Sequence, residues 1–328
     1  MSDRIKLCHA QEADIKSLNI VNWNMVQQNA FQQRVSGDIF YRFNEQLPAN
    51  VRDEFKQHWL GQTVAALIYQ NELTRLASAF EEHKISPVIL KGPALQTGAY
   101  DDPGQRPITD LDLLISPKEL PKMKEILSSH GYQYEDDIPW EANCHKQNWI
   151  YPQGEGQSPL RIELHTRLFA KEPKDLKWKF EDYTIAPYRT LQLTDNLVFL
   201  IGHLAYQHTF ARLWWLIDID RLLRKNGNVD WVEFENKVKL LRIENSTGAT
   251  FFALLKILRS KIEVPSKFLN KHIHRRVWKY LLSADFLEAP KKFPIRYYLL
   301  KHFLKRSFLE ALRYDFFWLI NMVRHKVS

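Results

Sequence analysis

Apolar positions recur at two different periods along the chain, and the period changes near residues 85 and 194. In "DEFKQHWLGQTVAALIYQNELTRLASAFEEHK", Leu60, Val64, Leu67, Ile68, Leu73, Leu76, Ala77 and Phe80 fall at helical spacing, and no proline lies between Pro48 and Pro87. Residues 1–83 therefore read as a helical lobe. From Ile85 the texture is that of short strands. "SPVILKG" is an apolar run closed by Gly92, "PALQTGAY" a short helix with Pro93 in its first turn, "DDPGQRP" a loop, and "DLDLLIS" a second strand. "SPKELPKMKEILSSHGY" predicts a helix with Ser116 as N-cap, Pro117 first, Glu119 closing a capping box and Gly131 as the stop. Residues 146–151 and 159–166 predict a hairpin joined by "PQGEGQS". Residues 84–193 thus predict a small mixed sheet with helices. From Thr194, an expected N-cap, the helical period returns in "LTDNLVFLIGHLAYQH" and in "ARLWWLIDIDRLLRKNG", which stops at Gly227. Residues 194–328 read as a second helical lobe, broken near Pro265, Pro290 and Pro294.

Composition narrows the compartment and the partners. The chain has 328 residues and only two cysteines, Cys8 and Cys144, which build neither a disulfide framework nor a cysteine metal site and favour a reducing compartment. The first residues lack the apolar core of a signal peptide, and no apolar run is long enough to span a bilayer. A soluble, cytoplasmic protein is expected. The net charge of +8 is uneven: residues 271–328 hold 13 Lys/Arg against 4 Asp/Glu, the other 270 residues 33 against 34. A basic end suits RNA or another polyanion, but it reads first as a solvated amphipathic helical hairpin.

The candidate chemistry lies between the first two strands. In "RPITDLDLLIS", Asp110 and Asp112 flank one leucine and share one strand face, while Leu111, Leu113 and Ile115 share the other. Like charges on a buried face repel, so the pair makes sense around a cation, Mg2+ by the chemistry of hard oxygen donors. Gly92 lets the backbone approach phosphate oxygens, and Lys91 supplies a point charge to phosphate or reaches solvent. Arg106 grips a triphosphate or pairs with Asp101 or Asp102. In "LRIELHT", Arg161, Glu163 and His165 share a face. Glu163 is placed to complete the metal cage or take a proton from an acceptor hydroxyl, and His165 to orient the acceptor or act as a second base. His203 and His208, five residues apart on an expected helix, read first as structure; Asp218 reaches the site or pairs with Arg212. The Trp214–Trp215 pair reads as core before it reads as a base-stacking platform.

At these residues the chain resembles a known family. "LKGPALQTGAYDDPGQRPITDLDLLI", then "GY", "IELHTRL" and "LIGHLAYQHTFARLWWLIDIDRLL" are similar in order and type to the uncharacterised nucleotidyltransferase-like family of bacteria, within the polymerase-β-like superfamily. The resemblance covers roughly residues 60–235. It implies an α+β fold, a nucleotidyltransferase-type small mixed sheet flanked by N- and C-terminal helical lobes. It implies metal-dependent transfer of a nucleoside monophosphate from an NTP such as ATP to a hydroxyl or phosphate acceptor. Asp110, Asp112 and Glu163 would be the metal ligands, with His165 beside them and Lys91, Gly92 and Arg106 on the nucleotide. Relatives occur among genes for peptide tailoring, lasso peptides included, and for surface polysaccharides, which implies a small-molecule or peptide acceptor. The chain departs from the pattern at Pro93, which has no amide to offer where relatives carry a small residue, and at Glu163 and Thr166, where relatives commonly have Asp and Trp. Two other readings stay open: a toxin-type enzyme acting on RNA ends such as tRNA, and a catalytically silent protein that holds a nucleotide or peptide.

Overall fold

A computed structural model describes residues 23–135, 145–154, 158–269 and 272–305, with Leu309, Ala311, Leu312 and Phe316 beyond them. Cys8, Cys144, loop positions 155–157 and much of the basic C-terminal end lie outside the described residues. Three helices come first: α1 (Trp23–Gln32), α2 (Ser36–Phe43) and the long α3 (Ala49–Glu82). Then follow β1 (Val88–Leu90), α4 (Gly92–Ala99), a 3-10 turn at Pro103–Gln105, β2 (Leu111–Leu114) and α5 (Leu120–Ser129). Five more strands close the sheet: β3 (Gln133–Glu135), β4 (Lys146–Tyr151), β5 (Leu160–His165), β6 (Phe180–Asp182) and β7 (Arg189–Leu191). The chain continues through α6 (Leu193–Ile201), α7 (Leu213–Asn226), α8 (Trp231–Leu241), α9 (Glu244–Phe252), α10 (His272–Leu281), α11 (Ala284–Glu288) and α12 (Pro294–Leu304).

The result is the expected α+β arrangement, a seven-stranded mixed sheet in the order β3-β4-β5-β2-β1-β7-β6 with helices before and after it in sequence. β1 runs antiparallel to β2 and parallel to β7, and β2 runs parallel to β5. Alternation sends Ile89, Leu111, Leu113, Ile162 and Leu164 to one face, where they pack on Leu73, Leu76 and Phe80 of α3 and Met123 and Ile126 of α5. The other face holds Val88, Leu90, Leu114 and Leu191 under Phe169 and Phe199. A third core joins α1, α2 and the start of α3 to α4, α6, α7 and the helices after them, so both helical segments pack into one body.

Several elements differ from the reading of the sequence. β3, β6 and β7 were not expected; each is three residues of mixed polarity, too short to show a period. α5 begins at Leu120 rather than Pro117, although the Ser116 amide does donate to Glu119 Oε2 at 2.8 Å. α6 begins at Leu193, so Thr194 lies inside it and accepts instead from the Asp230 amide, 3.0 Å away. Its continuation, Gly202–Gln207, is wound as a π-turn. In α3, Leu73, Leu76 and Phe80 are buried, yet Val64 and Leu67 are each 55% exposed. Val64 and Leu67 lie nine residues, half a rotation of the helix, before Leu73 and Leu76, so they face away from the stripe of Ala66, Tyr69, Leu73, Leu76 and Phe80 that packs under the sheet.

One buried ion pair ties the loop before β2 to α7. Arg106 Nε and Nη2 donate to the two oxygens of Asp218 at 2.8 and 3.0 Å, and the Tyr100 hydroxyl donates to Oδ1 at 2.8 Å. The two side chains are 3% and 1% exposed. Removing one partner strands the other's charge without water. Arg106→Gln is therefore expected to destabilise the protein by about 3 kcal/mol, read from urea unfolding. A loss below about 1 kcal/mol would show that Asp218 is solvated or otherwise compensated.

Candidate active site

Strand register assembles the site. Leu90 lies opposite Asp112, Asp112 opposite Glu163, and Leu114 opposite His165. β4 adds Asn148 opposite Glu163 and Lys146 opposite His165. Because side chains alternate, the leucines flanking Asp112 enter the core beneath, while Asp112, Glu163 and His165 project from the other face. Lys91 ends β1 with φ 48° and ψ −112°, a positive φ that costs a non-glycine residue on the order of 1–3 kcal/mol. That bend turns the chain into α4 and puts Lys91 Nζ 2.8 Å from Asp112 Oδ1. The positive φ at this bend therefore belongs to Lys91 and not to Gly92. A Cβ on Gly92 would meet only the Asp110 carbonyl oxygen at 3.5 Å and Ile108 Cγ2 at 3.8 Å, both ordinary contacts. The first turn of α4 carries amides with no carbonyl partner inside the helix, Pro93 excepted.

The charges are tightly coupled. His165 Nε2 lies 3.0 Å from Asp112 Oδ1 and 3.4 Å from Glu163 Oε1, and Lys146 Nζ lies 2.5 Å from Glu163 Oε1. Asp112 is only 2% exposed. Burial opposes its charge, but the Lys91 ammonium and the His165 hydrogen bond outweigh burial and hold the carboxyl well below the usual range. Burial likewise works against Glu163, which His165 and Lys146 bring below its ordinary value. Asp110 makes no ion pair among the described residues, and the more distant Lys91 only partly offsets what raises it. Burial, then the Asp112 charge, push it up to about 6. Lys91 stays charged because Asp112, Glu163 and Asp110 together overcome its desolvation.

Asp112, Glu163 and His165 come together: one ligand atom from each lies within 4.8 Å of the others, as a metal cage needs. Asp110 stands just ahead of β2, outside that trio. Lys91 and Gly92 border it. Arg106 does not reach it; its guanidinium is committed to Asp218, neither of the acids expected, because a partner 112 residues away leaves no local trace. Asp218 in turn takes Arg106 rather than Arg212. Lys146 was missed, although its position on the expected hairpin, alternating with Asn148 toward the face of Glu163, was readable. His203 and His208 lie closer to the site than their spacing suggested. Their rings are 4.5 Å apart, and both pack on Trp215 at 4.7 and 5.0 Å. Burial, then Lys91 and Lys146, hold His208 down to about 4, so it is neutral at pH 7.

Residues 19–256 match the model of a family described as an uncharacterised nucleotidyltransferase. No curated protein matches. Among solved structures, the chain is similar to the crystal structure of an antigenic nucleotidyltransferase-like protein from Paracoccidioides brasiliensis. The two are 16% identical, the match covers 65% of this chain and 97% of that one, and the TM-score is 0.34.

The two aspartates make opposite pH demands. The folded state binds the Asp110 proton more tightly than the unfolded chain does, so that stabilisation is present below about pH 4 and lost as pH rises through about 6. Asp112 contributes above the unfolded carboxylate value of about 4 and loses that contribution only in stronger acid. Asp110→Asn should therefore stabilise the metal-free protein by on the order of 2 kcal/mol at pH 7.5, and by clearly less at pH 5. Urea unfolding in a chelator at both pH values reads this; a gain that does not grow with pH contradicts it.

Proposed function

The chain belongs to the uncharacterised nucleotidyltransferase family, and from that premise we propose that it moves a nucleoside monophosphate from a Mg2+-bound NTP to a hydroxyl or phosphate acceptor, releasing pyrophosphate. The observation that carries this reading is the trio of Asp112, Glu163 and His165, set beside Lys91 and the first turn of α4. The donor set fits a divalent cation. Two carboxylates suit a hard ion, and one imidazole broadens the fit to Mn2+ without excluding Mg2+. Asp112 and Glu163 would hold it, with His165 Nε2, which now bonds Asp112, either turning to ligate or staying on the carboxylates, and Asp110 at the margin. Bound there, the cation supplies positive charge to the phosphate oxygens where charge develops.

The chain's own groups do the rest. Lys91 and Lys146, each resting on a carboxylate, are cations within reach of a phosphate chain laid over the trio. The α4 amides orient phosphate oxygens. Glu163, ionised at neutral pH, is placed to take the acceptor's proton. We assign this chemistry to residues 84–193, with the helices of 1–83 and 194–328 forming the acceptor cleft. The acceptor is a small molecule or peptide, as in the tailoring roles of similar proteins, and the two-cysteine composition supports action in the cytoplasm.

Asp112→Asn is expected to fold and to lose at least about a hundredfold in activity, since it removes a charge aimed at the reacting phosphate. Glu163→Gln should keep more nucleotide binding than Asp112→Asn while slowing transfer. The measurements are thermal-shift titration with NTP and Mg2+ and pyrophosphate release. Equal Mg2+-dependent stabilisation of wild type and Asp112→Asn by nucleotide would refute the assignment.

A further inference from the structure

Two arginines from distant parts of the chain, Arg34 and Arg212, are brought to one place beside Trp214, and among the described residues neither is paired with a carboxylate. Arg34 lies in the turn between α1 and α2, and Arg212 immediately precedes α7. The turn is docked on the start of α7 and on the end of α11, through two buried contacts and one exposed one. The Leu213 amide donates to Gln33 Oε1 at 2.9 Å, Gln33 Nε2 donates to the Glu288 carbonyl at 2.5 Å, and Arg212 Nη1 donates to the Gln32 carbonyl at 3.3 Å. Arg34 takes φ 54° there, a conformation its side chain disfavours. Its guanidinium lies 5.8 Å from the centre of the Trp214 ring, whose other guanidinium neighbour, Arg106, is 5.0 Å away.

The charges do not balance. Arg106 is neutralised by Asp218, but among the described residues neither Arg34 nor Arg212 is ion-paired with a carboxylate. Both are half-buried. Burial and then the nearby Arg212 charge lower the Arg34 value, and Asp110 is the acid that opposes them. The Nε1 donor of Trp214 is also buried without a hydrogen-bond partner. Two half-buried guanidiniums held together and left without an anion are costly unless one arrives, and guanidinium forks match phosphate oxygens.

We infer that Arg34 and Arg212 form a phosphate-binding site beside Trp214, next to the loop of Arg106 that leads into β2, a deepening that rests on the nucleotidyl-transfer reading. The phosphate is either the β,γ-diphosphate of the nucleotide, which departs as pyrophosphate, or a phosphate carried by the acceptor. Both are held by the same guanidinium chemistry.

The test is calorimetric titration of the full-length chain with pyrophosphate, inorganic phosphate, AMP and MgATP. Wild type is compared with Arg34→Gln, Arg212→Gln and the double variant. Each single change should weaken pyrophosphate binding about tenfold and leave AMP unchanged, as loss of a charged hydrogen bond predicts. An equal loss for MgATP assigns the site to the β,γ-phosphates. An unchanged MgATP affinity beside a loss for inorganic phosphate and pyrophosphate assigns it to the acceptor. No loss for any of these anions, or no pyrophosphate binding by wild type at millimolar concentration, overturns the inference. The two arginines sit in separate segments, so a variant that melts early leaves the other as the test. If wild type ignores MgATP, and the arginine variants still lose pyrophosphate, the nucleotidyl-transfer reading fails and this site stands.

Discussion

Asp112 is a carboxylate kept ionised inside the protein, and the centre of the molecule is arranged to keep it so. Its backbone sits between β1 and β5, with apolar neighbours on the opposite sheet face. Nothing solvates it there. Lys91 and His165 do so instead, at 2.8 and 3.0 Å. That requirement accounts for the strained bend at Lys91, which carries the ammonium from the end of one strand to the carboxylate of the next. It also accounts for His165, whose position two residues beyond Glu163 on a parallel strand brings one imidazole nitrogen to two acids. The same arrangement leaves Asp110, which makes no ion pair among the described residues, as the more readily protonated of the two.

Much of this centre was legible in the sequence because it depends on alternation. Asp110 beside Asp112, and Glu163 beside His165, are readable as shared faces without knowing the fold. The strands that carry them are bounded by glycine, proline and polar loops. What was not legible depends on partners far away in sequence. β7 is only Arg-Thr-Leu, and it is a strand because β1 offers it an edge. Arg106 reads as a phosphate ligand until the fold brings Asp218 to it. The positive φ at Lys91 has no local signal in the sequence; only the path from β1 to α4 shows that this residue bends. In α3 the helical period held, but the apolar positions fall on two opposite faces, and only the fold shows that the face of Leu73, Leu76 and Phe80 is covered while that of Leu60, Val64, Leu67 and Ile68 is not.

That long helix joins two cores. Its first half, with Val51 and Phe55, belongs to the core shared by the N- and C-terminal helices; its second half, from Ala66 to Phe80, lies under the sheet. The arginine turn is fastened to α7, and Arg106 to Asp218 on the same helix. Both flanking helical segments therefore meet at α7, to which the loop leading into β2 is also tied. A change in how α7 seats would be felt by Arg34, Arg106 and Trp214 together.

The strand order carries a consequence for synthesis. β1 lies between β2 and β7, and Val88 pairs with Arg189, about a hundred residues later in the chain. As the chain leaves the ribosome, α3, β1 and β2 emerge long before β5 and β7 exist to flank them. Until then β1 and β2 present open edges, and Asp112 lacks His165. Closing such distant pairings is slow and leaves apolar strands exposed to other chains. During that interval the nascent protein is a candidate for chaperone capture, and pauses in translation between residues 115 and 190 would lengthen it.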